Sequence, residues 1–378
     1  MFDRPFVLVV DDDPAQESFA LLLNRHGVQA KHVFPDDVSL DDLERASLLL
    51  IDEYLEEWPG REQVKNQPAL YIRDGVALAA VLRAQLEQRG PRIADSVPSR
   101  TAVVLRTGHL SHLASGLPRH LWSPAVASRY DLEWVAEKSA EADDLAAIAI
   151  AAAALPTTWD PTSPAQQRDW LALGETSWAA DAVAQIEQCR PPWSTLSATS
   201  AGRLWLAWFM QRVLPFPTFL VDDLRAAAYL GLRPTALEEI LAGKTDLARQ
   251  LEDARYTGQL SEFAGRRWWR AGIVALRREL LDQSGGRGPS DAAAQIVKAH
   301  GAPLEELGLK YPVFTINGDY EVSDEPIEVT EAVRLQPDGW PAYADDPWLA
   351  RSDVDDEPEL AKLIVLDDRS GGADDSGN

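Results

Sequence analysis

The stretch that most constrains the fold of this chain is a run of branched apolar residues that ends in an acid, Leu48-Leu49-Leu50-Ile51-Asp52. Such a run is typical of a strand buried on both faces, as strands are in a parallel sheet. In open α/β sheets, ligands collect outside the carboxyl ends of the strands. Asp52 is therefore placed to take part in chemistry, although an acid at this position can equally just begin a polar loop.

The segments around this run alternate between predicted strands and predicted helices. Strands are predicted at residues 6–10, 28–33, 48–52, 101–105 and 132–137. Helices are predicted at residues 15–26 and 39–46, from residue 74 onward, and at 143–155. Strands that alternate with helices predict an α/β fold with a doubly wound five-stranded parallel sheet, here over residues 1–156.

Polar side chains follow four of these strands, namely Asp11 and Asp12, then Asp52, Thr107 and Lys138. In a parallel sheet these strand ends converge on one rim. Carboxylates in close quarters repel one another, so the cluster favours a divalent cation, and oxygen ligands suit Mg²⁺. A lysine and a hydroxyl facing the metal would bind a tetrahedral anion. The pattern therefore indicates phosphoryl transfer onto a carboxylate.

These motifs together resemble the CheY-like receiver domain of bacterial two-component response regulators. The resemblance covers roughly residues 5–156. It rests on VLVVDDD at 7–13, LLLID at 48–52, DGVALAAVLR at 74–83, VVLRTG at 103–108 and the strand that ends at Lys138.

The resemblance implies a role for each strand-end residue. Asp52 would be the phosphoacceptor for a partner histidine kinase. Asp11 and Asp12 would be the acidic pair that holds Mg²⁺ together with Asp52, with Asp12 the more direct ligand and the backbone carbonyl of Tyr54 a further one. Thr107 would turn toward the phosphate, and Lys138 would pair with it.

The chain departs from the family pattern on the face that receivers use for switching. Ser139 follows Lys138 where a proline is usual, and Val135 stands where the switch aromatic is expected. The loop after Asp52, at 53–73, is long, and the region of the fourth helix is interrupted by Pro118 and Pro124. These changes concern switching more than the phosphorylation chemistry.

Residues 157–288 are predicted to form a helical output or interaction domain. Residues 222–241 fit a helix-turn-helix, but the second helix offers Glu238 and Glu239 where a recognition helix needs Arg, Lys, Asn or Gln, which favours a plain helical hairpin. A basic and aromatic cluster at 265–270 would contact nucleic acid or a partner, or pack helix ends. Several tryptophans are expected in the core: Trp170, Trp178, Trp193, Trp205 and Trp208.

Residues 289–378 are expected to be a small mixed segment with an acidic, partly disordered tail. A helix is predicted at 291–300, a strand at 313–316 and a turn at Asn317-Gly318. The acidic run from Asp353 to Glu359 is typical of solvated chain.

The formal net charge of −24 disfavours nucleic acid as a partner. The single cysteine, Cys189, fits a reducing compartment. The first residues lack a signal-peptide layout, and the longest apolar runs are too short to span a bilayer. We therefore expect a cytoplasmic protein without a membrane segment.

Three functions fit these observations. The first is a phosphorylated response regulator that works through protein contacts, with at most autophosphatase activity of its own. The second is a transcription regulator, and the third is a receiver-like scaffold that is never phosphorylated. The net negative charge argues against a transcription regulator. The complete set of acids, threonine and lysine at the strand ends argues against a scaffold that is never phosphorylated. Trp-rich helical outputs resemble, in style, regulators of bacterial defence or stress systems.

Overall fold

The computed structural model of the chain describes residues 4–64, 73–89, 100–115, 117, 119–156, 164–196, 201–263, 265–341 and 343–369. Its first part alternates strands and helices. The strands are β1 (Phe6–Val10), β2 (Gln29–Val33), β3 (Ala46–Asp52), β4 (Ala102–Thr107) and β5 (Trp134–Glu137). The helices are α1 (Gln16–Leu23), α2 (Leu40–Arg45), α3 (Gly75–Arg89), α4 (Leu110–Leu113), α5 (Trp122–Arg129) and α6 (Ala142–Ala153).

These strands form one parallel sheet in the order β2-β1-β3-β4-β5. The predicted five-stranded doubly wound sheet is therefore confirmed. This order reverses between β1 and β3, and in such sheets the crevice for ligands lies at that point, outside the carboxyl ends of the strands. β3 is buried along almost its whole length, which is what its continuous apolar sequence predicts.

The long loop after β3 is closed at its base. The backbone amide of Leu55 donates to the carbonyl of Arg73 at 3.0 Å, and Tyr54 forms an isolated β-bridge with Asp74. Leu55 and Trp58 are buried against the core of the sheet. The first half of the loop is therefore part of the folded domain, and a 3-10 turn follows at Arg61–Val64.

The Pro-interrupted region between β4 and β5 contains two short helices, α4 and α5. Pro124 lies in the first turn of α5, where its missing N–H would have no partner in the helix. The sequence also predicts a linker at 156–164, from its Thr, Pro and Asp content. Its residues 157–163, and Pro118, lie outside the described residues.

The next part is helical. Its helices are α7 (Ala165–Trp170), α8 (Ala179–Cys189), α9 (Trp193–Leu196), α10 (Ala201–Trp208), α11 (Asp223–Tyr229), α12 (Pro234–Ala242), α13 (Asp246–Asp253), α14 (Arg270–Ser284) and α15 (Pro289–His300). A π-helical turn at Phe209–Val213 continues α10. The prediction that tryptophans fill this core is confirmed for Trp170, Trp178, Trp205 and Trp208.

The sheet and the helical part share one hydrophobic core. Val7, Val9 and Leu50 lie on the sheet face that packs against α6, and the same cluster continues into Trp205 and Phe209. In addition, the indole N–H of Trp170 donates to the carbonyl of Ala151 in α6 at 3.1 Å. Helix α6 therefore lies between the sheet and the helical part.

A buried ionic group joins the same two parts on the other side. Glu133, just before β5, is fully buried. Its Oε2 accepts from Arg83 Nη2 of α3 at 2.8 Å and from the amide of Val103 at 2.6 Å. Its Oε1 accepts from Arg203 Nη1 of α10 at 3.1 Å. Arg203 also pairs with Asp131 at 3.2 Å. The carboxylate is therefore held by one arginine from each part.

The segment predicted to be a helix-turn-helix or a hairpin consists of α11 and α12, joined through Gly231 at a φ of 74°. Glu238 on α12 contacts Arg266, which also pairs with Asp223 at 2.8 Å. Arg266, one of the three arginines of the predicted basic cluster, is therefore engaged by acids of this hairpin.

The two rings of that cluster are core residues. Trp268 and Trp269 form the strand β7 (Trp268–Trp269), which pairs antiparallel with β6 (Leu220–Val221), and both side chains are buried. They therefore do not offer an exposed surface for stacking bases.

The C-terminal part contains β8 (Pro312–Val313), β9 (Ile327–Glu328), β10 (Ala332–Arg334), β11 (Trp348–Ala350), α16 (Pro358–Ala361) and α17 (Leu366–Arg369). The predicted turn at Asn317-Gly318 is present, because the amide of Asn317 donates to the carbonyl of Glu321 at 3.1 Å. The acidic run contributes the 3-10 turn Arg351–Asp353 and α16, so this part of the tail is folded, while most of its acids are exposed to solvent as the sequence predicts.

Asp345 attaches this last part to the helices. Its carboxylate pairs with Arg270 at 3.0 Å and accepts from the hydroxyl of Tyr229, while its amide donates to the carbonyl of Pro217 at 2.9 Å. Across the described ranges, the helices are too short or too polar for one of them to cross a membrane.

Candidate functional site

A row of charged side chains crosses the sheet at its carboxyl rim. Asp52 on β3 is in register with Arg106 on β4, and Val10 of β1 is in register with Ile51 of β3, so Asp11 lies beside Asp52. Side chains alternate between the two faces of a strand. The side chains of Asp11, Asp52 and Arg106 therefore point toward the sheet face covered by α1 and α6.

Three carboxylates converge at this rim. Oxygen atoms of Asp11, Asp12 and Asp52 all lie within 4.8 Å of one another. Asp11 and Asp52 are buried, and Asp12 is half-buried. The predicted acidic cluster is therefore brought together by the fold. A set of hard oxygen donors at this spacing fits Mg²⁺, which prefers carboxylates and keeps several waters.

The electrostatics of the cluster also fit a cation. Burial raises the pKa of Asp11 to about 6, and the neighbouring charges of Asp52 and Asp12 add to the rise. Burial also raises the pKa of Asp52, although Lys138 opposes that rise. A bound cation would remove the cost of ionising both acids.

Lys138 faces Asp52. Its Nζ lies 2.8 Å from Asp52 Oδ1. Its backbone amide donates to the carbonyl of Thr107 at 2.8 Å, which fixes the chain just after β5. Burial alone would lower the pKa of Lys138, but the hydrogen bond and charge of Asp52 raise it overall. The ammonium therefore stays charged next to the acid.

Thr107 lies at the same rim but does not contact Asp52. Its buried hydroxyl donates to Glu53 Oε2 and accepts from the amide of His109 at 2.8 Å. Glu53 is itself buried. Sequence reasoning missed Glu53, although strand alternation sends the residue after Asp52 to the face on which Thr107 lies.

Asp12 and Tyr54 connect the cluster to the long loop. Asp12 Oδ2 accepts from the backbone amides of Glu56 at 2.7 Å and Glu57 at 2.9 Å. The side chain of Tyr54 is exposed and packs edge-on to the ring of His109, with ring centroids 5.5 Å apart. The loop is therefore attached to one of the predicted metal ligands.

Gly75 fixes the start of α3 against the end of β3. A Cβ at this position would lie 1.8 Å from the carbonyl oxygen of Asp52. The amide of Gly75 also donates to the carbonyl of Glu53 at 2.7 Å. A larger side chain here would displace the end of β3, which explains the Asp-Gly pair that begins this helix.

Arg106 is a further charged residue that sequence reasoning missed. It is buried, and its Nη1 donates to Gln16 Oε1 at 2.6 Å while its Nη2 donates to the carbonyl of Lys138 at 3.1 Å. Its guanidinium carbon lies 3.9 Å from the ring centroid of Phe19 on α1. The available signal was a single arginine within an otherwise apolar strand.

No family model matches the sequence, and neither does any curated protein. Solved structures do resemble its first part. One is a CheY-like response regulator receiver domain from Methylobacillus flagellatus, at 20% identity and a TM-score of 0.25, over 38% of this chain and 93% of that one. A second CheY-like receiver, from Methanospirillum hungatei, has 16% identity and a TM-score of 0.24 over 38% and 88%. A sensor protein from a Polaromonas species has 19% identity and a TM-score of 0.26 over 39% and 95%.

The order of the sheet and the converging strand ends define the class of the N-terminal part. It has the fold of a response-regulator receiver domain, as its motifs indicate. A helical part and a small C-terminal part follow it in the same chain.

Proposed function

We propose that this chain is a response regulator in which Asp52 accepts a phosphoryl group from a partner histidine kinase. The observation that carries the proposal is the ion pair of Lys138 Nζ with Asp52 Oδ1, at 2.8 Å, beside the carboxylates of Asp11 and Asp12. One cation and a cluster of hard oxygens around the buried carboxylate of Asp52 are suited to phosphoryl transfer.

In the transfer, an Asp52 oxygen attacks phosphorus, the O–P bond forms, and the bond to the donor nitrogen of the phosphohistidine breaks. The imidazole takes the electron pair and ends with a proton on a ring nitrogen. Asp11, Asp12, Asp52 and the Tyr54 carbonyl would hold Mg²⁺, which would supply positive charge against the carboxylate and phosphoryl oxygens. Lys138 then pairs with the phosphoryl oxygens in place of the Asp52 carboxylate.

The helical part is proposed to pass the signal on through protein contacts. Arg203 and Gln211 both hold the chain just before β5, because Gln211 Nε2 donates to the carbonyl of Leu132 at 2.7 Å. Lys138 lies just after the same strand. A change at the phosphorylated rim therefore reaches the helices through one short strand.

We also propose that the output protein belongs to a bacterial defence or stress system. The support is that the helical part is rich in tryptophan, as output regions of such regulators are. We propose no enzymatic activity beyond, at most, hydrolysis of the phosphoryl group on Asp52.

The test is acetyl phosphate treatment with Mg²⁺, followed by phosphate-affinity electrophoresis and mass spectrometry. The wild type is expected to gain one phosphoryl group on Asp52, and Asp52→Asn is expected to gain none. Asp41→Asn, at an exposed acid of α2, is the matched control and should behave as the wild type. An unmodified wild type, also with a set of candidate kinases, would show that the domain is a scaffold.

A further inference from the structure

We propose that Arg106 is a built-in second cation of the Asp52 pocket, which positions Lys138 and weakens the binding of Mg²⁺. The inference rests on the proposed function, since it concerns the same pocket. It goes further because Arg106 is not one of the strand-end residues Asp11, Asp12, Asp52, Thr107 and Lys138.

The placement of Arg106 is the first support. It is the register partner of Asp52 on the neighbouring strand, and strands in a sheet lie about 4.8 Å apart. Its side chain leaves the sheet on the same face as Asp52 and Asp11, and the charges of both acids act on it. The guanidinium therefore lies on the same sheet face as the carboxylates that would hold the metal and within range of their charges, without a direct ion pair to them.

The second support is that Arg106 is fixed in place. It is 7% exposed. Its two terminal nitrogens are used by Gln16 and by the carbonyl of Lys138, and its plane lies over Phe19. Among the described residues its Nε has no hydrogen-bond partner. The charge cannot move away when a divalent cation arrives, and the carbonyl contact holds the residue that pairs with the phosphoryl group.

The electrostatic consequence has a definite sign. Three carboxylates share the pocket with two cations, Lys138 and the fixed Arg106, so the pocket attracts Mg²⁺ less strongly than the carboxylates and Lys138 alone would. At the separations of neighbouring side chains, removing one such charge is expected to tighten Mg²⁺ binding about three- to tenfold. A purely structural role for Arg106 predicts the opposite, since loss of its contacts would loosen the pocket and weaken the binding of Mg²⁺.

The variants are designed to separate charge from packing. Arg106→Met removes the charge and keeps an unbranched side chain, and Arg106→Lys keeps the charge. Arg45→Met is the matched control, because Arg45 is exposed, lies over the ring of Phe6 at 4.9 Å, and carries the same charge. Gln16→Glu places a carboxylate against Arg106 and so offsets its charge while Arg106 itself is kept. Gln16 is half-buried on α1, and this variant replaces Arg106→Met in the test if Arg106→Met does not fold.

Mg²⁺ affinity is measured on the full chain by calorimetry, and the acetyl phosphate rate is measured at saturating Mg²⁺. Arg106→Met and Gln16→Glu are expected to bind Mg²⁺ about three- to tenfold more tightly. Arg106→Lys and Arg45→Met should stay close to the wild type. The transfer rate at saturating Mg²⁺ should fall in Arg106→Met, because Lys138 loses its positioning contact, and should recover in Arg106→Lys.

Unchanged or weaker Mg²⁺ binding in a folded Arg106→Met or Gln16→Glu protein would overturn the inference while leaving phosphorylation of Asp52 intact. A wild type that neither binds Mg²⁺ nor accepts a phosphoryl group would overturn both this inference and the proposed function.

Discussion

Thr107 and Glu53 show how single residues set the resting state of the rim. The hydroxyl of Thr107 donates to the buried carboxylate of Glu53, the residue after Asp52, and not to Asp52 itself. A phosphoryl group on Asp52 would add strong acceptor oxygens that compete for the same hydroxyl. Glu53 would therefore compete with a phosphoryl group on Asp52 for the hydroxyl of Thr107.

Replacing Glu53 is expected to favour the phosphorylated conformation. Glu53→Ala frees the hydroxyl of Thr107, so beryllofluoride, which mimics the phosphoryl group, should bind several-fold more tightly. The lost hydrogen bond should cost about 1 kcal/mol of unfolding free energy. Glu53→Gln keeps a hydrogen-bond acceptor, so its affinity for beryllofluoride should lie between those of the wild type and Glu53→Ala. Weaker beryllofluoride binding in Glu53→Ala would contradict this role.

Asp11 makes the stability of the metal-free protein depend on pH. Its pKa is about 6 in the folded protein against 3.8 ordinarily, so the folded state keeps the proton to higher pH than the unfolded state does. Unfolding free energy should therefore fall by about 2 to 3 kcal/mol between roughly pH 4 and 7. Urea melts in EDTA should show this fall.

The fall should be smaller in Asp11→Asn, which has no charge to bury, and smaller in the wild type with saturating Mg²⁺. The same slope in all three samples would mean that Asp11 is not the group responsible.

At the scale of elements, β5 connects the rim to the rest of the chain. Glu133 precedes this strand and Lys138 follows it. Removing one partner of a buried ion pair costs much more than removing an exposed one, because it leaves an uncompensated charge without water. Arg203 of α10 is therefore expected to be important for attaching the helical part to the sheet domain.

Arg203→Met should lower the unfolding free energy by about 2 to 4 kcal/mol, since Glu133 would lose one of its two arginine partners. Arg249→Met is the control, because Arg249 is exposed and its pairs lie within α13. That variant should unfold at the same urea concentration as the wild type. Equal midpoints for the two variants would show that the buried group contributes little.

At the scale of the whole molecule, the helical part completes the core of the sheet domain. Much of the sheet could be predicted from the sequence, because buried parallel strands are continuous apolar runs with polar ends. The shared core could not, since the partner of Trp170 is a carbonyl of α6 and the partner of Trp134 is Phe263, far along the chain. The roles of Glu53 and Arg106 likewise depend on side-chain contacts across strands.

A fragment of residues 1–156 should therefore be less stable than the same residues in the full chain. It would expose the apolar surface of α6 that the helices cover, and is expected to bind a hydrophobic dye and to melt at lower temperature. The full chain should unfold these two parts together. A fragment that melts cooperatively at the temperature of the full chain would show that the sheet domain is independent.

The closed base of the long loop has a consequence for how this protein can change during evolution. Leu55 and Arg73 are hydrogen-bonded to each other at 3.0 Å, and the chain between Leu55 and Val64 still packs on the sheet domain. Residues gained or lost between Val64 and Arg73 would not alter the distance between these two points, and long surface insertions cost little. Insertions there are therefore expected to leave the register of the strands beside Asp52 unchanged.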